Sequence, residues 1–335
     1  MADSCEYISA VSEVEAAAAR LAAHDGAIAV DAEGVDLGRD GRLTLLQMAV
    51  PGYAVIFDVQ AIGGETLFGD QCDVGKLLRD SRRAKVFYDC RRDVDTLDKH
   101  FAVMVDGIVD LQIADVILRD DDRAEQLRRL ESFLHRGSIR GQPDHYKSVA
   151  KLRGLGEVLK EYGLAAKGKL SHREHQLWGE RPLSEKLQQY AFEDAVGIRD
   201  LFGEMTKHPR FREANVEIRK ASARFADALR GLARLPEKCY LEHPLLPMCI
   251  VDGYPELPRH ISTDEVAIRR GDSCAPCSKC FNMLLVGCLG KVKKKKKEVR
   301  CDICRAIDMQ ASMKACWGRG EEKGPEKGTT SGGSD

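Results

Sequence analysis

The chain lacks any long hydrophobic run. No stretch of its 335 residues approaches the roughly 18 consecutive apolar residues that a membrane-spanning helix needs. It also lacks an excess of charge of either sign: 52 lysines and arginines face 53 aspartates and glutamates, a formal net charge of −1. Such a chain has no overall attraction to nucleic acid, so any attraction must come from a local patch. The opening residues, "MADSCEYISAVSEVEAAAARLAAHDG", carry acids where a secretory signal carries basic residues, and no apolar core follows. That argues against secretion and makes cytoplasm or nucleus the expected compartment. No internal repeat is visible.

What is present is the balance of an ordinary soluble protein, with 43% hydrophobic and 31% charged residues. The length suits one sizeable domain and a smaller one. Residues 7–24 read as an Ala-rich helix, followed by strands at 27–31, 43–50 and 53–59, with a "PG" turn at 51–52. Residues 73–80 read as a helix, 84–89 as a strand, and "DVDTLDKHF" as the next helix. The polar, Arg-rich stretch 119–147 interrupts the pattern and reads as partly mobile. Helices are expected at 149–162, 184–205 and 209–235, with Ser184 or the residue before it opening the second. A Pro- and His-rich linker at 236–270 follows. Antiparallel strands first, then strands alternating with helices, point to a mixed α/β sheet flanked by helices.

Three acidic motifs stand out. In "VDAEG", Asp31 and Glu33 lie two apart on a strand and so share one face. Alone they read as a strand end with solvated acids sooner than as a site. In "YDCRRDVDTL", Asp89, Asp93 and Asp95 crowd a strand-to-helix junction, where an acid also benefits from the helix dipole. In "LQQYAFEDAVGI", Tyr190 and Asp194 are four apart, on the helix face that also carries Leu187 and Ile198. A solvated charge does not belong on that apolar face, whereas Glu193 reads as surface.

In this order and spacing the sequence resembles the DEDD-type 3′-5′ exonucleases. It looks like the branch with tyrosine in the last motif, which includes ribonuclease D and the Werner exonuclease domain. It is most similar to the "3′-5′ exonuclease domain-containing" proteins, through "DAEGVDLGRDGRLTLLQMA", "FDVQAIGG", "DCRRDVDTL", "IVDLQIAD" and "LWGERPLSEKLQQYAFEDA". The resemblance covers residues 7–205 and implies a ribonuclease H-like fold. It also implies that Asp31, Glu33, Asp93 and Asp194 hold two Mg²⁺ or Mn²⁺ ions, with Tyr190 orienting the attacking water. Hard cations of this kind prefer carboxylate oxygens. The substrate expected from the resemblance is single-stranded nucleic acid, RNA modestly before DNA. Tyr88 replaces the histidine of many relatives, Leu111 departs from their "DTQ", and Asp110 reads as a helix cap. No helicase-and-RNase-D C-terminal module is evident. Some relatives have lost catalytic acids and act as RNA-binding adaptors; retention of all four acids and the tyrosine here favours an enzyme.

Six of the twelve cysteines fall between 274 and 304. Cys277 and Cys280, then 20 residues, then Cys301 and Cys304 give the C-x₂-C…C-x₂-C spacing of a closed structural Zn²⁺ site, with "FNMLLVG" as the strand after the first knuckle. Cys274 competes for a place, since Cys274 and Cys277 are likewise separated by two residues. Between the two pairs sits a lysine run, Lys293, Lys294, Lys295, Lys296 and Lys297. It reads either as a solvated tip or import-type patch, or as a phosphate-binding finger whose affinity depends on salt. The expected organisation is an exonuclease domain at 1–207 and a helical segment and linker at 208–270. A zinc-ribbon-like module at 271–316 follows, open to a protein partner as well as to nucleic acid, then a disordered tail at 317–335. "HREH" at 172–175 reads as a polar loop or helix start sooner than as a metal pair, and Trp178 as a packing anchor.

Overall fold

The structure, a computed structural model, describes residues 3–119, 121–141, 143–146, 149–168, 170–230, 243–252, 274–277, 283–285, 300 and 303–311. Its centre is a six-stranded sheet built from β1 (Ser4–Ile8), β2 (Ile28–Val35), β3 (Arg42–Val50), β4 (Tyr53–Asp58), β5 (Lys85–Phe87) and β6 (Ile108–Asp110). The strand order is β1-β4-β3-β2-β5-β6. β2, β3 and β4 form an antiparallel meander, while β1/β4, β2/β5 and β5/β6 pair in parallel. The expected mixed sheet is thus present. β3 and β4 are almost wholly buried, as continuous apolar runs such as "LTLLQMAV" require of strands covered on both faces.

The helices in chain order are α1 (Val11–Ala22), α2 (Val59–Ile62), α3 (Gly64–Phe68), α4 (Asp73–Arg79), α5 (Arg91–Phe101), α6 (Leu111–Arg119), α7 (Arg123–Leu130), α8 (Arg136–Gly141), α9 (Leu155–Glu161), α10 (His172–Gln176), α11 (Glu185–Met205), α12 (Pro209–Glu213), α13 (Asn215–Arg230) and α14 (Cys249–Asp252). One face of the sheet packs against α1, α4, α5 and α13 through Val30, Leu46, Met48, Val55, Leu21, Val94 and Phe225. The other face packs against α11 through Ala29, Leu45, Ala49, Ala54 and Ile56 on the sheet and Ala191, Ala195 and Ile198 on the helix. Alanines on both sides let the helix axis approach the sheet closely. Among the described residues no helix is long and apolar enough to cross a membrane.

Several local expectations change. Residues 7 and 8 belong to β1, because Ser4–Ile8 pairs in parallel with Tyr53–Phe57, and the helix opens only at Val11. Val149–Lys151 is strand β7, paired with β8 (Leu245–Pro247), so the expected helix at 149–162 is confined to α9. The stretch 119–147 is largely helical, with α7 capped by Asp122 and its Leu130 buried. The basic helix expected at 209–235 is two helices, α12 and α13, and 231–235 lies outside the described residues. Near the C-terminus β9 (Cys274–Pro276) and β10 (Met283–Leu285) form an antiparallel pair, and 303–311 is helical. Cys280, Cys301, the lysine run and the tail all lie outside the described residues.

Three side-chain ties fix the loops around the carboxyl end of β2. Arg39, in the β2–β3 loop, donates to Asp95 of α5 at 3.0 and 2.7 Å. Arg181, before α11, donates to Asp58 at 2.6 and 2.7 Å. Asp110 accepts from Cys90 N at 2.7 Å and from Gln112 N at 2.8 Å, so the expected cap of α6 also clamps the start of α5. The Arg39–Asp95 pair is nearly solvent-free, with side chains 7% and 1% exposed. Removing one partner of such a pair strands a buried charge. Arg39→Ala should therefore lower unfolding free energy by about 3–5 kcal/mol in urea titrations. The double change Arg39→Met with Asp95→Leu should recover most of it.

Candidate active site

β2 supplies the first two acids. Beyond Ala29 it has no β5 partner, because the parallel pairing ends at Ala29↔Val86. The strand therefore runs on at a topological switch point, with β3 antiparallel on one side and no strand partner on the other, which is where sheets of this kind bind ligands. Asp31 and Glu33 project from the α11 face, and a register shift between Glu33 and Gly34 interrupts the pairing with β3, which resumes at Gly34↔Leu43. Gly34 is required there, since a Cβ would collide with the carbonyl oxygen of Arg42.

α11 supplies the next pair. Ser184 opens the helix, its Oγ accepting from Leu187 N, and the buried Ala191 and Ala195 hold it against the sheet. Asp194 is thereby brought to Asp31 and Glu33: one ligand oxygen from each of the three lies within 4.8 Å of the others. All three are partly buried. Tyr190 lies one turn earlier, its ring 6.2 Å from that of the fully buried Trp178. Glu193 is exposed on another face.

Asp93 stands apart from this trio. It lies in the first turn of α5 and is buried. Of the three acids at the β5–α5 junction, Asp95 is held by Arg39 and Asp89 by Arg91. Among the described residues no ion pair involves Asp93. It faces the cluster electrostatically: Asp31 raises its pKa, and it in turn raises that of Glu33.

A residue the sequence reading passed over sits in the cluster. Lys167, in the loop after α9, forms an ion pair with Asp194 at 2.8 Å, donates to the carbonyl oxygen of Tyr190, and places Nζ 3.0 Å from the centre of the Tyr190 ring. The contact is both an ion pair and a cation–π interaction. Nothing in "LAAKGKL" marks it, because its role is set by the fold around the loop.

The electrostatics follow from this crowding. Burial first, then the Asp194 carboxylate, pushes Asp31 up to about 8, against the pull of Lys167. Glu33 and Asp93 are raised well above the usual carboxylate range by burial and by their acidic neighbours. Asp194 is raised by burial and restrained by Lys167, while burial lowers Lys167 itself. The Tyr190 hydroxyl is also pushed up, by burial and by Asp194, Glu33 and Asp31. It therefore stays protonated at neutral pH and serves as a hydrogen-bonding group. The donor set is all carboxylate, hard and negative, and it fits a divalent cation such as Mg²⁺ or Mn²⁺.

The sequence profile of the 3′-5′ exonuclease family matches residues 5–209. The chain belongs to this family, in its DEDD group. The piRNA biogenesis protein EXD1 of Mus musculus is 33% identical over 90 residues, and that of Homo sapiens 31% over 90 residues. Each match covers 27% of this chain but only 15% and 17% of those relatives. In structure, Trypanosoma brucei RNase D resembles the chain with a TM-score of 0.52 at 22% identity, over 67% of this chain and 72% of that one. Its complex with GMP gives 0.59 at 19% identity, over 84% and 83%. These likenesses establish a shared exonuclease fold.

A pH dependence follows from the raised carboxyls. In the unfolded chain they release protons near pH 4, whereas the fold retains them to higher pH. The folded state then binds more protons, so stability falls as pH rises from about 4 through about 8. In EDTA, the thermal midpoint should drop by several degrees between pH 5 and pH 8, and Asp31→Asn should flatten that slope.

Proposed function

We propose that the protein is a divalent-cation-dependent 3′-5′ exonuclease that hydrolyses nucleotides from single-stranded ends, RNA before DNA. The observation that carries this reading is the convergence of Asp31, Glu33 and Asp194 within 4.8 Å, with Asp93 facing them. Asp31, Glu33, Asp93 and Asp194 would hold two cations. Bound there, such ions supply a water-derived nucleophile at neutral pH and neutralise charge on the leaving 3′ oxygen. The chain's own residues do the rest. Tyr190, protonated and beside Asp194, orients the attacking water through its hydroxyl. The Ala-lined seat of α11 keeps Tyr190 and Asp194 in register with β2, and the Arg39–Asp95 pair keeps α5, with Asp93, against the same strand end. The RNA preference draws on the RNase D neighbour solved with RNA U12 and on the EXD1 relatives named for piRNA biogenesis.

Asp31→Asn should abolish Mn²⁺-dependent shortening of a 5′-labelled single-stranded RNA while leaving its binding within about twofold of the wild type. Tyr190→Phe should slow the reaction on the order of 10²-fold, the lower range of a positioned proton-handling group. Equal activity in Asp31→Asn, or no activity in the wild type with any divalent ion, would contradict the reading.

We further infer that residues 271–316 form a structural zinc module, with Cys277, Cys280, Cys301 and Cys304 as ligands. Support comes from Cys277 and Cys304, which are fully buried in one apolar cluster with Leu130, Tyr146, Val149 and Leu245 although far apart in sequence. The antiparallel β9–β10 pair ends immediately before Cys277 on the β9 side. Lys293–Lys297 would then lie in the loop between the two cysteine pairs and add salt-dependent phosphate contacts. Full-length protein purified without chelator should carry about one zinc per chain by elemental analysis, as four thiolates around one ion require. Cys277→Ser should lose it; zinc-free wild type would count against the module.

A further inference from the structure

Gln47 is the most anomalous buried side chain near the acids. It lies in the middle of β3, completely shielded from solvent. Both its Oε1 and its Nε2 lack a hydrogen-bond partner. Its neighbours on the same face of β3 are Leu45 and Ala49, and Ile56 stands opposite on β4. An unpaired buried amide costs about 1–3 kcal/mol, more than a leucine or methionine of similar size would cost in that core. A central strand of an otherwise apolar layer therefore carries a polar group that folding alone does not require.

The register shows what the amide faces. Gln47 is the direct antiparallel partner of Asp31 on β2. Residues opposed in this way project from the same face, with Cβ atoms about 4.5–5.5 Å apart. The register thus sets the Asp31 carboxylate directly across from the amide, and Asp31 is one of the three clustered acids. We propose that Gln47 is a positioning residue for the acidic cluster: its unpaired side-chain amide takes up the Asp31 carboxylate when a divalent cation is bound, fixing the orientation in which Asp31 grips the ion. The inference rests on the exonuclease reading and extends it inward from the ligands to the strand beneath them. A carboxylate offers about four lone-pair sites, so one amide N–H leaves the others for a cation. The amide also biases which oxygen of Asp31 faces the cluster. Carboxylates that bind metals are commonly held by such partners, and losing one costs about 10–100-fold in metal affinity.

The test separates folding from cation binding. Gln47→Met keeps the length and removes the amide. Its thermal midpoint in EDTA should equal or exceed that of the wild type, while its Mn²⁺ dissociation constant, by isothermal titration, should rise about tenfold or more. Gln47→Leu carries the same expectation where the methionine variant folds poorly. In the wild type, the Gln47 side-chain amide resonances should shift on Mg²⁺ addition. Mn²⁺ affinity unchanged in both variants, or amide resonances unmoved by saturating Mg²⁺, would overturn the role of Gln47 and leave the exonuclease reading standing. Wild-type protein that binds no Mn²⁺ would overturn both.

Discussion

Carboxylates whose oxygens gather within 4.8 Å in a partly buried site cannot all be ionised without a cation among them. The fold is built around that constraint. Without added cations it is met in two ways: the acids hold protons to unusually high pH, and Lys167 lends its ammonium to Asp194. Both are compromises that a divalent ion would replace with a better one, since it brings two charges and satisfies several oxygens together. On the proposed reading, the stored repulsion would be the source of an affinity for cations. Lys167 tempers it through its ion pair with Asp194, which leaves Asp31 and Glu33 without a cationic partner of their own among the described ion pairs.

Repulsion of this kind pushes elements apart, so the scaffold has to hold them. Asp31 and Glu33 are on the central meander, the most deeply buried part of the sheet. Asp194 is on the longest helix, seated by alanine against alanine. Asp93 sits on α5, whose beginning is clamped by Asp110 and whose middle is tied to the β2–β3 loop through Asp95 and Arg39. The Arg39–Asp95 pair joins the loop after Asp31 and Glu33 to the helix that carries Asp93, and Arg181–Asp58 ties the segment before α11 to the end of β4. They set geometry more than they add stability, consistent with the modest net worth of buried ion pairs.

Much of this was legible in sequence where local pattern and tertiary outcome coincide. The apolar runs at 43–50 and 53–59 became β3 and β4, and Ser184 became the cap of α11, because burial and capping act locally. The D-x-E alternation placed Asp31 and Glu33 on one face, and the i, i+4 spacing placed Tyr190 and Asp194 on another; which face met which was carried by the family resemblance. What escaped depends on contacts distant in sequence. β1 exists because Ser4–Ile8 finds Tyr53–Phe57, and β7 because Val149–Lys151 finds Leu245–Pro247. Helices 123–130 and 136–141 read as a polar, partly mobile interruption because one face of charged residues masks Leu130 and Ile139, which are buried. Lys167 and Gln47 gave no signal, one being a loop lysine among many and the other a single polar residue inside a strand. Asp89, Asp93 and Asp95 were indistinguishable as letters; only the arginines at Asp89 and Asp95 single out Asp93.

The central claim is that these acids are a cation site, and anomalous diffraction from Mn²⁺-soaked crystals tests it directly. The account predicts manganese density bounded by Asp31, Glu33 and Asp194, with Asp93 on its far side and the Lys167 ammonium moved off Asp194. Crystals showing no manganese at Asp31 and Glu33, with the Lys167–Asp194 pair intact at saturating Mn²⁺, would contradict it.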